Sequence, residues 1–414
     1  MPNETSLANG RSDDRSDAWA ADPHTFDIFK LDQRFLASPY ATYARLRQDD
    51  PVHRNADGSY LVTRYDDVAR VLRDPDMSSD NTRTLTPVYG QTPLLEHYLH
   101  LMVFVDPPRH THIRRRLAHA FTPRALKTWE VYVEHAVREL LDEALAKGRM
   151  DLITEFAYLL PISVIAKMLG VPREDQALFR RWSAGVTKPM VPSPAAAVIE
   201  EGSGVVEEFK AYFRTLAERR RREPRDDLMS LLVQDDGSEP LDELDLIHNA
   251  AFLLNAGHET TMNLLGNALA VLFRFPDQLA RLRRNPDLFE TAVEEFLRFD
   301  SPNQLGGRRT TKAIDFHGVT IPADTFIWIS NGAANRDTDQ FAGAENLDVG
   351  RQPNRHLAFG YGIHACLGAN LARVEAKIAL RTLICDHPNL RADGTPVPRM
   401  HPRYRGFTSF PVAA

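Results

Sequence analysis

"HLAFGYGIHACLGANLAR", residues 356–373, sets Cys366 among three glycines, two histidines and an arginine. Three readings compete for this cysteine: a small buried packing residue, a nucleophile, or a metal ligand. Packing alone needs no glycines. Gly360, Gly362 and Gly368 let the backbone turn sharply and come close to a flat group, and "LGANLARVEAKIAL" after the cysteine starts a helix. A sulfur at a helix N-terminus meets backbone N–H groups and is favoured as the thiolate, which is the form a metal requires. A nucleophile would need a base held by an acid. His364 is near in sequence, but nothing around it supplies an orienting acid or an oxyanion hole. The ligand reading fits the stretch best.

The next most informative stretch lies about a hundred residues upstream. From Leu241 to Phe275, Ile247, Ala251, Leu254, Thr261, Leu265, Ala268 and Leu272 recur at helical spacing between Pro240 and Pro276. A helix of that length runs roughly 50 Å, enough to cross the molecule. Its middle reads "AGHETT", residues 256–261, where Gly257 loosens the backbone and Glu259 is costly to bury. A kink with solvated polar groups is one reading of it. A zinc-protease HExxH is another, and it fails because position 262 is Met262, not histidine.

The rest of the chain bounds the setting. Its 414 residues are 43% hydrophobic and 26% charged, as in an ordinary globular protein. Fifty Lys and Arg against 56 Asp and Glu leave a formal charge of −6, which gives no whole-protein reason to bind nucleic acid. Two cysteines, Cys366 and Cys385, imply neither a disulfide framework nor a zinc site and suit a reducing cytoplasm. No signal-like segment opens the chain and no stretch approaches ~20 apolar residues, so no membrane association is expected. Residues 1–22, rich in Ser, Asp and Asn, read as a disordered tail. Asp57-Gly58 marks a hairpin, and "FHGVTIPADTFIWI", residues 316–329, reads as a second β element interrupted by Pro322. Helical periodicity fills most of the remainder without a linker, so residues 23–414 read as a single, mainly α domain with small β-sheets.

"FGYGIHACLGANLAR" resembles the haem-binding signature of the cytochrome P450 family, the haem-thiolate monooxygenases. "AGHETT", "EEFLR" at 294–298, "DPPRHTHIRRRLAHAFTPR" at 106–124 and "AANRD" at 333–337 accompany it in the family's order, over about Phe35 to Pro411. The arrangement is like that of the soluble bacterial class, without a membrane anchor and with no room for a fused reductase. The resemblance implies the P450 fold, with haem b between the long central helix and the cysteine-loop helix and Cys366 as the iron ligand. A thiolate there donates electron density that favours O–O cleavage. Phe359 and Gly360 would lie against the proximal face of the ring. His110 and Arg114, four residues apart and so on one helix face, would reach a propionate. Arg308 and His364 resemble the family's other propionate contacts. Arg309 is the register alternative to Arg308, and His356 is either an assistant or a structural histidine.

Glu295 and Arg298 form the ExxR pair on one helix face, and Arg351 takes the place of the family's third member. These are structural residues holding the cysteine loop. Leu347 departs from the aromatic residue usual in "ENLDVGR". Thr260 and Glu259 would handle dioxygen and protons. Phe252, Asn255, Ala256, Gln304, Leu305 and Phe407 are expected around a largely apolar pocket, with the two amides favouring a substrate that has a polar group. The implied function is insertion of one oxygen atom from O2 into a small to medium organic substrate, with electrons from a ferredoxin and its reductase. A peroxygenase and a gas sensor are the alternatives, and the acid and alcohol at 259 and 260 favour the monooxygenase. Arg373, Lys377 and Arg381 recur every four residues after the cysteine and, with Arg115 and Arg116, form an expected docking face for an acidic iron–sulfur protein.

Overall fold

A computed structural model describes residues 20–414 apart from 192, 236 and 238. Most of the expected tail, residues 1–19, lies outside the described residues. Ala21 and Asp22, which the composition placed in the tail, are held: the Ala21 amide donates to Thr42 Oγ1 at 3.0 Å, and Asp22 caps the short turn Pro23–Thr25.

The central helix spans Glu243–Arg274, 32 residues. It starts where the Asp242 carboxylate accepts from the amides of Leu244 and Asp245, and it ends at Phe275, whose φ of −122° and ψ of 72° leave the helical region before Pro276. Sequence reading allowed a kink at "AGHETT"; the helix instead runs through it without a break. Gly257 faces Ile165, and a Cβ at 257 would make ordinary contact with that side chain at 3.4 Å. Ile165 belongs to the segment Leu152–Leu169, which is apolar and long enough to cross a membrane by length and composition, contrary to the sequence expectation. In the fold it packs against the central helix, and 67% of it is buried inside the protein.

Around this axis stand Arg109–Leu117, Pro123–Ala144, Gln176–Thr187, Ala196–Arg222, Phe289–Phe299 and Ala369–Arg381, all helical. The main β-sheet has five strands in the order Val52–Arg54, Tyr60–Val62, Phe326–Ser330, Leu305–Thr310 and Met77–Ser78. The Asp57-Gly58 turn joins the first two as expected, and only the pair Tyr60–Val62 with Phe326–Ser330 is parallel. The expected element at 316–329 divides in two. Ile314–Phe316 and Val319–Ile321 form a separate hairpin turned at His317 and Gly318, both at positive φ, while Phe326–Ser330 joins the large sheet. Leu305–Thr310 was not foreseen as a strand, because "LGGRRT" has weak β propensity. It pairs with Phe326–Ser330, and Gly307 makes room for the Phe326 ring: a Cβ at 307 would lie 2.2 Å from its Cζ. That contact sets the position of Arg308.

Candidate active site

The cysteine loop is tied back on itself by the Cys366 amide, which donates to the Phe359 carbonyl at 2.8 Å. Gly360 and Gly362 adopt φ of 68° and 71°, a conformation open to glycine at little cost. Gly362 also runs so close to a neighbouring turn that a Cβ would meet the Leu72 carbonyl oxygen at 2.7 Å. The helix begins at Ala369, three residues past the cysteine. Cys366 presents an open face, yet it is surrounded deeply enough that burial pushes its thiol up. The Gly368 amide and the charges of Arg114 and Arg373 oppose that rise without reversing it. The expected stabilisation of a free thiolate by the helix terminus is therefore outweighed by desolvation. Such a sulfur is a poor free nucleophile and becomes an anion when a metal displaces its proton.

Four basic side chains from three chain segments converge beside it. His110 and His364 lie with ring centroids 4.1 Å apart. Both ring nitrogens of His110 and Nδ1 of His364 are buried without a hydrogen-bond partner. Burial and the charges of Arg308, His110 and Arg114 push His364 down to about 3. Burial lowers Arg308 to about 10, and its guanidinium bonds only to the carbonyl of Gly307, at 2.8 Å. Among the described residues Arg114 makes no ion pair, and burial lowers it too. Asp106 raises His110 and Arg308 against that trend, and its carboxylate is engaged by Ser78 and the Ser79 amide. A cluster of unpaired donors and cations beside a lone thiol is matched by a flat metal macrocycle carrying two carboxylates: haem fits the residues present. Phe359 stands at the sulfur end with Arg373 4.6 Å over its ring.

Behind the loop, Glu295 and Arg298 are fully buried and joined twice at 2.8 Å. Arg351 Nε adds contacts of 3.2 and 3.1 Å, Asn354 one of 3.1 Å, and the Asp348 amide one of 3.0 Å. Arg298 spends its other donors on the carbonyls of Asn335, Ala344 and Asn346. Leu347 is buried here, 4% exposed, so an aliphatic side chain fills the usual aromatic place. Next to this network lies Glu294, whose role the sequence did not reveal. Burial would raise its carboxyl, but His356 and Arg373 hold it near 2. His356 is thus committed to Glu294 and not to the basic cluster. The expected docking array is likewise largely neutralised: Arg373 pairs with Glu294 and Lys377 with Glu290, while Arg116 is buried against the Leu231 carbonyl.

On the other side, Phe252, Ala256 and Thr260, four apart, are half-buried together with Gly257 on a mostly buried stretch of the central helix, so one face is open. The Thr260 hydroxyl donates to the Ala256 carbonyl at 3.0 Å. Asn255 and Glu259 lie one position round the helix and face Ser183 instead, which donates to Asn255 Oδ1 at 2.7 Å and lies 3.3 Å from Glu259 Oε1. Burial would raise the Glu259 carboxyl; His258, Arg399 and Ser183 together hold it below its ordinary value. Arg399 pairs with it from 140 residues away, a partner with no local sequence signal.

Three expected pocket residues lie elsewhere. Gln304 donates to the Ser301 carbonyl at 2.7 Å and the Tyr40 hydroxyl at 3.3 Å, and its Oε1 fills the space where Gly332 lacks a Cβ. Leu305 packs with Phe35 and Tyr43 in the cluster near the start of the chain. Phe407 covers Gly266 and Phe410. Gly266 is six residues past Thr260, about 240° further round the helix.

A lone thiolate donor, a cradle for two carboxylates and an acid–alcohol pair on the opposite helix define a haem-thiolate oxygenase. The chain belongs to the cytochrome P450 family: the family's profile, "Cytochrome P450", matches residues 53–387. "Cytochrome P450 monooxygenase PikC" of Streptomyces venezuelae is 39% identical over 405 residues, covering 95% of each chain. Among solved structures, P450BioI in complex with hexadec-9Z-enoic acid ligated acyl carrier protein superposes with a TM-score of 0.88 at 34% identity, over 93% of this chain and 100% of that one. The myxobacterial CYP267B1 in complex with myristic acid gives 0.85 at 36% identity, over 93% and 98%. The protein is an oxidoreductase that uses haem iron and O2 to oxygenate a small organic molecule.

Proposed function

We propose that Cys366 is the iron ligand of a haem b whose propionates meet His110, Arg114, Arg308 and His364, with Phe359 and Gly360 against the proximal face. The observation that carries this reading is that cluster of four basic groups around a thiol, without an ion-pair partner among the described residues. When bound, the haem supplies the activation of dioxygen. The chain supplies the rest. Glu295, Arg298 and Arg351 hold the cysteine loop rigid. Thr260 offers a hydroxyl proton on the open face of the central helix, and Glu259, the next residue, feeds protons toward it. Glu259 can take up a proton only as it loosens from Arg399, so Arg399 sets when the relay is available.

The same reading takes residues 23–414 as one catalytic domain working in the cytoplasm on a largely apolar substrate against Phe252 and Ala256. The acyl ligands of P450BioI and CYP267B1 support a substrate with a long apolar body. Electrons would come from a ferredoxin docking on the cysteine-loop side. There, Tyr361 and Ile363 are exposed, with Arg73 5.2 Å over the Tyr361 ring, and Arg115 and Arg381 make no ion pair among the described residues. The decisive experiment is the ferrous carbonyl spectrum. Wild type should show the red-shifted Soret band of thiolate haem, and Cys366→His should move it to the shorter wavelength of imidazole ligation. An unchanged band in the variant would overturn the assignment.

A further inference from the structure

The amides expected to select a polar substrate are spent inside the fold, Asn255 on Ser183 and Gln304 on Ser301 and Tyr40. A different residue stands free. The segment after the short strand Val397–Pro398 carries three arginines, Arg399, Arg403 and Arg405. Arg399 is paired with Glu259 and Arg405 with Asp300. Arg403 makes no ion pair and no side-chain hydrogen bond among the described residues. Its guanidinium lies 5.6 Å from the Tyr404 ring, and its Nε is sealed from solvent with no partner. A guanidinium presents five donors in a rigid fork, so an unpaired one whose Nη atoms stay open is ready for an anion.

We propose that Arg403 is the anion-binding residue of the substrate chamber, and that the substrate carries a carboxylate at one end of an apolar body. This rests on the P450 reading above and narrows its substrate class. The backbone around Arg403 is fixed: the Gln304 amide donates to the Arg403 carbonyl at 2.8 Å, and the Arg405 amide to the Pro302 carbonyl at 2.9 Å. The guanidinium therefore leaves a rigid strap. Its charge lowers the Tyr89 and Tyr98 hydroxyls, and the carboxylates that meet the strap, Glu259 and Asp300, are taken by Arg399 and Arg405. Tyr89 and Tyr98 pack edge to face at 5.1 Å and donate their hydroxyls away, to the carbonyls of Pro189 and Val186. Both rings are buried, 5% and 1% exposed. His401 is no rival cation, since burial with Arg399 and Arg403 pushes it down to about 4.

Arg403 is not a fifth partner of the propionates. Its charge lowers Arg308, and it leaves a chain segment other than the three that carry His110, Arg114, Arg308 and His364. Arg399 ties the same strap to Glu259, beside Thr260. The strap thus lies along the central helix, where Asn267 Nδ2 also donates to the Arg405 carbonyl at 3.1 Å.

The test uses haem-loaded enzyme and matched ligands: the straight-chain acids from decanoic to octadecanoic with the corresponding primary alcohols, and a steroid acid with its alcohol. Affinities are read from the low-to-high-spin shift and from calorimetry. Wild type should prefer the acid of the best pair by tenfold or more. Arg403→Leu should erase that preference by weakening the acid alone, and Arg403→Lys should keep part of it. Equal affinities in wild type, or an undiminished preference in Arg403→Leu, overturns the proposal. So does loss of haem from Arg403→Leu, which would assign the residue to a propionate. Failure of the P450 reading itself would show separately, as a wild-type carbonyl spectrum without the thiolate band.

Discussion

Two buried sets of arginines behave in opposite ways. Around Glu295, every donor of Arg298 finds a carboxylate or a carbonyl, and Arg351 and Asn354 complete the shell. Around Cys366, burial and the charges of Arg114 and Arg308 keep His110 and His364 neutral, and their ring nitrogens are left orphaned. The first set is closed and serves the fold. The second is open, and only a ligand can complete it. The difference shows how to separate structural from functional charge: by whether the protein itself satisfies the group, not by burial or residue type.

Breaking the closed set should have the largest effect. Glu295→Ala strands Arg298 at zero exposure and removes the anchor of Arg351, a loss of about 3–5 kcal/mol. The expected outcome is protein without stably bound haem and a lower melting temperature. A fully loaded variant of wild-type stability would show that the closed network is dispensable.

The open set gives an intermediate effect through pH. His364 is depressed to about 3 in the fold, against about 6.5 unfolded. Between those values the unfolded chain binds the additional proton, so stability falls as pH drops from about 6.5 toward 3. Haem propionates should relieve the depression. Melting curves between neutral and acid pH should therefore fall more steeply for the haem-free chain than for the loaded one, and His364→Phe should flatten the haem-free curve. Equal slopes with and without haem would mean that no anion completes the cluster.

The smallest structural effect belongs to Thr260→Ala. The lost hydroxyl makes one bond to its own helix, so stability should change by less than ~1 kcal/mol. The substrate-induced spin shift should survive while more NADH is diverted to peroxide or water. Product per NADH at the wild-type value would remove Thr260 from the relay.

Some of this was legible because it is local. A cysteine among glycines before a helix, an i, i+3 acid–arginine pair and an acid–alcohol pair inside a long apolar helix each declare themselves within a few residues. The pocket was not legible in the same way. Asn255 is adjacent to Ala256, but about 100° of helix rotation turns it toward Ser183, and Gln304 is drawn to Tyr40, far earlier in the chain. Arg399 and Arg403 sit in an irregular segment without periodicity, and their environments are made by residues 100 to 300 positions distant.

By itself the sequence pointed to the mainly α fold, to the cytochrome P450 family through its motifs, and to Cys366 as the candidate sulfur, because those signals lie along one helix or one loop. The tertiary structure alone decided which charges were left over. Ion pairing is exclusive: Glu259 and Asp300 take Arg399 and Arg405, His356 and Arg373 are taken by Glu294, and Arg403 remains. No local pattern encodes that remainder, since it depends on which side chains the packed chain brings within hydrogen-bonding distance.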